Sequence, residues 1–459
     1  TAASAKTERV PAARKVFPML AAHLGDAARK SHPSEPVIRL TLDGRLQGKL
    51  EQLAVARARA GAIGPKASVA IVVADHLTGE ILASVGSADF MDGARNGFVD
   101  MTRAVRSPGS TLKPLIYGLA FEQGIAHPQS LIEDRPTAFG GYAPVNFDGF
   151  YRGTVTIHDA LTESLNVPAV QVLDAVGPAR LVARLKRAAA NPKLPDLSAP
   201  GLAIGLGGVG ITLDDLVSVY AALARGGRPV TLHDGTEAPG APAGEGAPML
   251  EPLAAWYVAD ILADVPPPTI GASGRIAYKT GTSYGYRDAW SIGFDGRHVL
   301  GVWVGRADAS AVPGLSGYVS AAPILFEGFA RSGIAAVQLP GKPPGVQRLG
   351  RDELPVTLAR FGSGADGLVQ ATPSEPAPTI IFPPNGARVD LGVASADATP
   401  LVLKLQGGRA PFRWLANGKP LVGLDRRRTA TWQPDGKGYS TLTVIDDAGR
   451  AASVKVFVE

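Results

Sequence analysis

The chain has 459 residues and a formal net charge of +5, with 45% hydrophobic and 19% charged residues, so it can bury several cores and is not generally disordered. It contains no cysteine, which excludes disulfides, thiolate nucleophiles and cysteine-held zinc or iron–sulfur centres. The excess of Lys plus Arg (46) over Asp plus Glu (41) suits an anionic surface or substrate and by itself gives no reason to expect nucleic acid.

Residues 11–30 carry apolar positions at helical spacing (Val16, Leu20, Leu24) until Pro33 and Pro36 break the pattern. Val37–Leu42 reads as a short strand. Asp43 can cap a helix reaching about Arg59, with Leu46, Leu50 and Leu53 on one face. Residues 1–66 therefore read as a small linker module. From residue 67 the pattern changes: Ser68–Asp75 is a β-branched run, Thr78-Gly79 a turn and Glu80–Val85 a second strand, which together predict a hairpin. A helix-prone block follows from about Ser110 to Ala263. Strands return at Arg275–Ser283, Asp288–Phe294 and His298–Gly305, and a helix over Ala321–Ser332 would cover them. A hairpin, a helical block and strands again predict one sheet in which first and last strands lie side by side, with helices packed on it.

Residues 336–378 are rich in Pro and Gly and read as a connector. From 379 to 459, short strands (Thr379–Phe382, Leu401–Leu405, Phe412–Leu415, Thr429–Trp432, Ser440–Ile445, Ala452–Val458) alternate with turn signals such as Asn417-Gly418 and Asp435-Gly436. That is the pattern of a β-sandwich. No run approaches the ~18 consecutive apolar residues of a membrane helix and no charged-then-apolar leader opens the chain, so as given it reads as soluble. It begins at Thr1 rather than Met, and an anchor upstream would not be visible.

The chemistry begins at Ser110-Thr111-Leu112-Lys113, where Ser107-Pro108-Gly109 hands over to an apolar helix. Residues three apart on a helix share a face, so the Lys113 amine can lie beside the Ser110 hydroxyl. A helix start also offers unpaired N–H groups to developing negative charge. Serine attacks only when a base takes its proton, and a lysine of lowered pKa can be that base. Alone, S-x-x-K reads more readily as a capping serine beside a surface lysine. Two further pieces change the reading: Ser164-Leu165-Asn166, and Lys279-Thr280-Gly281-Thr282 on a predicted strand. The ordered set S-x-x-K, S-D-N, K-T-G belongs to β-lactamases and penicillin-binding proteins, and the middle motif here reads Ser-Leu-Asn, as is common in large penicillin-binding proteins.

Residues 67–335 resemble the penicillin-binding transpeptidase domain of class A penicillin-binding proteins. The resemblance extends to Tyr142-Ala-Pro-Val-Asn146, Gly153-Thr-Val-Thr156, Ala160-Leu161 and Ser164-Leu-Asn-Val-Pro-Ala169. Arg287-Asp288-Ala289-Trp290 and the β-sandwich tail resemble the 1C type, and residues 1–66 resemble that family's linker. The resemblance implies an α/β fold with a five-stranded antiparallel sheet flanked by helices, followed by an Ig-like β-sandwich. It implies a membrane helix and a glycosyltransferase domain upstream, both absent from this chain, and a place on the periplasmic face of the bacterial inner membrane. It further implies an acyl-enzyme mechanism on D-Ala-D-Ala-ended peptidoglycan stem peptides, with no cofactor and with β-lactam antibiotics as covalent inhibitors. Ser110 would be the nucleophile, Lys113 its base, and Ser164 the proton relay. Asn166 would hold the peptide and the lysine, and Lys279, Thr280 and Thr282 of the K-T-G segment, with Gly281 between them, would bind the terminal carboxylate. The N–H groups of Ser110 and Thr282 would form the oxyanion hole. Lipid-linked precursor and an envelope protein such as a periplasmic α2-macroglobulin-like protein are the implied partners.

Other readings are weaker. Gly205-Leu-Gly207-Gly-Val-Gly210 matches a dinucleotide fingerprint, but the helix starts after the glycines, behind Thr212 and Asp215, so close packing is the better reading. The seven histidines form no H-E-x-x-H, and no G-x-S-x-G elbow supports a Ser-His-Asp triad. Asp446-Asp447 and Arg426–Arg428 read as solvated loop or edge, and Trp414 and Trp432 as sandwich core. A class A β-lactamase needs a glutamate for deacylation, and none occurs from 164 to 236. A D,D-carboxypeptidase and a vestigial assembly scaffold remain as alternatives.

Overall fold

The computed structural model describes residues 19–61, 63–139, 142–195, 200–236, 247–268, 275–331, 333, 335–362, 377–389, 400–421, 425–434, 436–447 and 449–459. The helical spacing expected before residue 19, the connector residues 363–376, Ser332 and Asp435 lie outside them. In chain order come helices α1 (Ala22–Ser31) and α2 (Gly44–Arg59), strands β1 (Ser68–Asp75) and β2 (Ile81–Val85), and helix α3 (Lys113–Glu122). Strands β3 (Leu131–Asp134) and β4 (Gly153–Thr156) precede helices α4 (Ile157–Thr162), α5 (Asn166–Val176), α6 (Pro178–Arg187), α7 (Leu213–Ala224) and α8 (Pro252–Ala263). Strands β5 (Ala277–Thr282), β6 (Asp288–Phe294) and β7 (His298–Gly305), helix α9 (Ala322–Arg331) and strands β8 to β15 complete it. The chain forms two compact units: Thr1–Thr111 with Val182–Ser198 and Val209–Pro343, and Leu112–Leu181 with Ala199–Gly208 and Pro344–Glu459.

The first unit is built on an antiparallel sheet of order β2-β1-β7-β6-β5, which joins the first and last strands as expected. β1 is buried along its whole length, because a central strand covered on both faces must be apolar throughout. Its Val69, Ile71 and Val73 join Leu46, Leu50 and Leu53 of α2 and Leu325 of α9 in one core. Each such side chain removed from water contributes roughly 1.5–3 kcal/mol. On the other side α7 packs against β7, where Val217 lies against Gly301. Caps fix the helix starts: Asp43 accepts from the N–H of Arg45 and Leu46, and Thr212 and Asp215 form a capping box. Val37–Leu42 is not a strand, contrary to expectation. Its backbone bonds are split, with Thr41 N–H donating to Asp234 and Asp43 N–H to Leu82, so no single neighbour completes a ladder.

In the second unit α3 is apolar all round, with Leu115, Ile116, Leu119 and Ala120 all but inaccessible. The hairpin β3–β4 interrupts the expected helical block; its strands are four residues each, too short for a clear alternation. A β-carbon on Gly205 would meet Leu173 at 2.9 Å and one on Gly208 the Ala203 backbone at 2.8 Å, so these glycines serve close packing. The tail is a two-sheet sandwich. One sheet has the order β13 (Thr429–Trp432), β10 (Leu401–Gln406), β8 (Thr379–Phe382). The other runs β12 (Lys419–Pro420), β11 (Arg413–Ala416), β14 (Gly438–Ile445), β15 (Ala451–Val458), β9 (Arg388–Val389), and its last pair is parallel. Leu403, Phe412, Trp414, Trp432, Val444 and Val456 fill the space between them. Asn417 and Gly418, at φ 51° and 80°, make the two-residue turn between β11 and β12 that Asn-Gly predicts. The two-residue strands β9 and β12 carry too little pattern to be expected. Asp446 is not solvated: it is buried and bonded to the Arg409 N–H, the Arg450 N–H and the Arg450 guanidinium. Among the described residues no helix is long and apolar enough to cross a membrane.

Candidate active site

Ser110 lies in a 3₁₀ turn, Gly109–Leu112, that runs directly into α3. Two buried aromatic side chains pin this turn within the first unit. The Trp290 indole donates to the Ser107 carbonyl at 2.8 Å, and the Tyr220 hydroxyl donates to the Thr111 carbonyl at 2.8 Å. Burial raises the Tyr220 hydroxyl well above its ordinary pKa, so it stays a donor.

The turn rests on β5, the edge strand that carries the K-T-G segment in register with β6. Contact is so close that no β-carbon fits. One on Gly281 would stand 2.4 Å from the Pro108 carbonyl oxygen and 2.7 Å from Thr111 Cγ2; one on Gly109, at φ +54°, would stand 2.4 Å from the Thr282 carbonyl oxygen. Lys279 is buried and donates to the Thr280 carbonyl at 2.9 Å; burial alone lowers its ammonium to about 7. The Thr282 hydroxyl accepts from Gly317 N–H at 3.0 Å, which leaves its own hydrogen for a further acceptor.

Lys113 opens α3 in the second unit and is inaccessible to solvent. Its Nζ donates to the Ser164 carbonyl at 2.5 Å and to Asn166 Oδ1 at 2.6 Å, and lies 3.4 Å from the Ser164 hydroxyl. Ser164 has φ +59°, a left-handed conformation that costs a non-glycine residue of order 1–3 kcal/mol. It is held there by Ser164 N–H to Leu161 and Leu165 N–H to Ala160, after which Asn166 starts α5. Asn166 donates from its backbone to Asn146 Oδ1 and from its side chain to the Val145 carbonyl. Asn146 in turn donates to both oxygens of buried Asp134 at 2.9 and 2.8 Å, and the Arg152 N–H donates to that carboxylate as well. A polar chain thus runs Lys113, Asn166, Asn146, Asp134.

Of the residues expected from sequence, Ser164 and Asn166 gather on Lys113, and Gly281 and Thr282 gather on the turn of Ser110. Thr280 is half-buried, and its carbonyl takes the Lys279 ammonium. Sequence reasoning missed Asp134 and Tyr220, and the roles of Asn146 and Trp290. Tyr220 had a usable signal, since a tyrosine inside an apolar helix needs a partner for its hydroxyl. Among the described residues no cluster of His, Asp or Glu could hold a metal ion.

Residues 69–319 match the penicillin binding protein transpeptidase domain family, and residues 368–456 match the Penicillin-Binding Protein C-terminus Family. Penicillin-binding protein 1C of Escherichia coli (strain K12) is 34% identical, covering 92% of this chain and 65% of that protein. Penicillin-binding protein 1F of Bacillus subtilis (strain 168) is 31% identical, covering 58% and 39%. The chain therefore spans less than two thirds of these relatives. Among solved structures, the PonA1 protein of Mycobacterium tuberculosis in complex with penicillin V aligns with TM-score 0.58 at 20% identity, covering 71% of this chain and 98% of that one. Penicillin-Binding Protein 1A of Haemophilus influenzae aligns with TM-score 0.51 at 21% identity, covering 61% and 50%. At such identities the likeness shows the fold.

Proposed function

The chain belongs to the penicillin-binding protein transpeptidase family, and on that premise we propose that it is a peptidoglycan D,D-transpeptidase working through a serine acyl-enzyme. Ser110 Oγ attacks the carbonyl of the penultimate D-Ala while Lys113 takes its proton, and the N–H groups of Ser110 and Thr282 hold the oxyanion. An oxyanion donor of this kind is worth about 3–4 kcal/mol. The peptide C–N bond breaks, the terminal D-Ala leaves with a proton relayed by Ser164, and an ester on Ser110 remains. The amine of a second stem peptide then attacks that ester, forming the cross-link and restoring the serine hydroxyl. Lys279, Thr280 and Thr282 bind the terminal carboxylate, with Gly281 keeping the strand against the nucleophile's turn. A β-lactam acylates the same oxygen when its ring amide opens.

The observation that supports this most is the buried Lys113, fixed on Ser164 and Asn166 three residues after Ser110 in the chain. The lack of any glutamate from 164 to 236 favours slow deacylation over a β-lactamase. The proposed organisation is a linker module (1–66), the enzyme (67–335), a connector (336–378) and the sandwich (379–459). We place the chain at the periplasmic face of the inner membrane through an anchor outside it, with lipid-linked precursor as a substrate.

Intact-mass spectrometry after penicillin treatment tests the proposal. The wild type should gain one penicillin mass, Ser110→Ala none, and Lys113→Ala almost none at equal time. Normal labelling of Ser110→Ala would overturn the assignment. Incubation with a pentapeptide-bearing precursor and an amine acceptor should give cross-linked dimers; tetrapeptide alone would make the protein a carboxypeptidase.

A further inference from the structure

Among the described residues the sandwich carries an open strand edge with a cavity beside it. β13 lies at the end of its sheet, paired on one side with β10 in the register Leu401↔Trp432 to Lys404↔Thr429. Leu405 N–H donates to the Arg428 carbonyl, which fixes the phase of the ladder. In an antiparallel ladder only alternate pairs exchange hydrogen bonds. Arg428, Ala430 and Trp432 therefore bond to β10, and the N–H and C=O of Thr429 and Thr431 point away from it. Among the described residues these groups have no hydrogen-bond partner. The neighbouring edge, β12, is guarded by Pro420; β13 contains neither Pro nor Gly.

A cavity of about 160 Å³ opens beside this edge, lined by the apolar side chains of Val402, Trp414, Leu421 and Ala430 together with Thr429, Thr431, Asp425 and Arg427. It has room for one apolar side chain. Around it the charge is positive: Lys404, Arg426 and Arg427 are exposed, and no ion pair engages them among the described residues. Arg428 is turned back onto the Gly407 carbonyl and the Phe412 ring. Asp425, also at the cavity, has one carboxylate oxygen committed to the Arg427 N–H.

We propose that β13 is a docking edge for an extended acidic segment of a partner protein, which adds as a strand to Thr429 and Thr431 and seats one apolar side chain in the cavity. Backbone pairing supplies the affinity and the pocket the selectivity, as in other strand-addition sites. The positive rim selects acidic sequence and repels the same edge of a second copy. Stem peptides, with D-residues and a side-chain linkage, cannot continue a regular ladder. No step of the acyl-transfer reading enters this inference.

The test uses the full chain and a fluorescein-labelled peptide, Glu-Val-Glu-Leu-Glu-Val-Glu, in a fluorescence anisotropy titration at low salt. The peptide should bind saturably, and its Lys-for-Glu counterpart should not. Thr431→Pro removes an outward N–H that β10 does not use, and Arg427→Glu reverses the rim; each should weaken binding about tenfold. Penicillin acylation should stay unchanged in both. A peptide N-methylated at alternate residues should lose binding to the wild type, a control that leaves the protein's fold untouched. Absence of binding, or equal binding by the methylated peptide, overturns the proposal. So does co-sedimentation with purified sacculi that Thr431→Pro abolishes while the peptide fails to bind, or dimerisation of the wild type through this edge.

Discussion

Gly281 and Pro108 approach so closely that a single added carbon on Gly281 would fall 2.4 Å from the Pro108 carbonyl oxygen. The glycine of the K-T-G segment is therefore a spacer that lets the turn of Ser110 lie on β5. Gly281→Ala must push that turn away. A displacement of about 1 Å costs on the order of 100-fold in rate, so stopped-flow acylation by a fluorescent penicillin should fall by about that factor. The overpacking should also cost about 1–3 kcal/mol in thermal unfolding.

Tyr220 acts on the same turn from α7 and is a positioning residue. Tyr220→Phe leaves the Thr111 carbonyl unpaired, a loss of about 1–3 kcal/mol. Tyr278→Phe removes another tyrosine hydrogen bond in the same unit, to the Pro266 carbonyl. Only the first should lower the acylation rate constant; both should lower the melting temperature. Equal acylation by the two variants would show that Tyr220 serves stability alone.

Lys279 makes a pH prediction with a definite sign. An unfolded lysine titrates near 10.4, whereas burial lowers Lys279 to about 7 in the folded chain. Between these values the unfolded state binds more protons, so stability rises with pH from about 7 to about 10.4 and is flat below. Thermal unfolding of wild type against Lys279→Gln should show that slope only in the wild type. Acylation by a carboxylate-bearing penicillin should move the other way, weakening as pH passes about 7 and the ammonium is lost, with Lys279→Gln flat over the same range.

Asn146 links the Lys113 cluster to Asp134. Asn146→Ala leaves the buried Asp134 carboxylate with only the Arg152 N–H and leaves the Asn166 N–H unpaired, which should cost about 1.5–3 kcal/mol. Asn146→Asp faces that carboxylate with a second one, so its melting temperature should fall further at pH 8 than at pH 4.

Much of this site was legible in the chain. Ser110, Lys113 and the K-T-G segment stood out as parts of one ordered motif set, and the apolar patterning placed a helix start at the first and a strand at the second, where the structure has them. Ser68–Asp75, Asp288–Phe294 and His298–Gly305 were readable residue for residue because they are short, largely apolar runs, buried along their length and bounded by turns. The supports were not readable. Asp134 is an isolated polar residue whose meaning depends on Asn146, and the role of Asn146 depends on Asn166, twenty positions on, folding against it. The left-handed Ser164 has no local signature, since serine rarely adopts it without tertiary support. Val37–Leu42 failed for a related reason: an extended preference becomes a strand only where one neighbour offers a continuous ladder.

The connector's hydrogen bonds decide where such a chain can be recombined. Leu358 accepts from the Ser130 hydroxyl, Phe361 N–H donates to Leu131, and Arg360 pairs with Glu133, so the segment before residue 362 is knitted to β3. A further backbone bond, from Ala138 N–H to the Gly449 carbonyl, is made by the sandwich itself. A chimera spliced at residue 336 would strip β3 of these partners and carry a foreign strand in their place. One spliced just after Gly362 keeps them and gives up the Ala138–Gly449 bond. The crossover point that evolution or an engineer can use to trade tails thus lies some 26 residues beyond the compositional boundary.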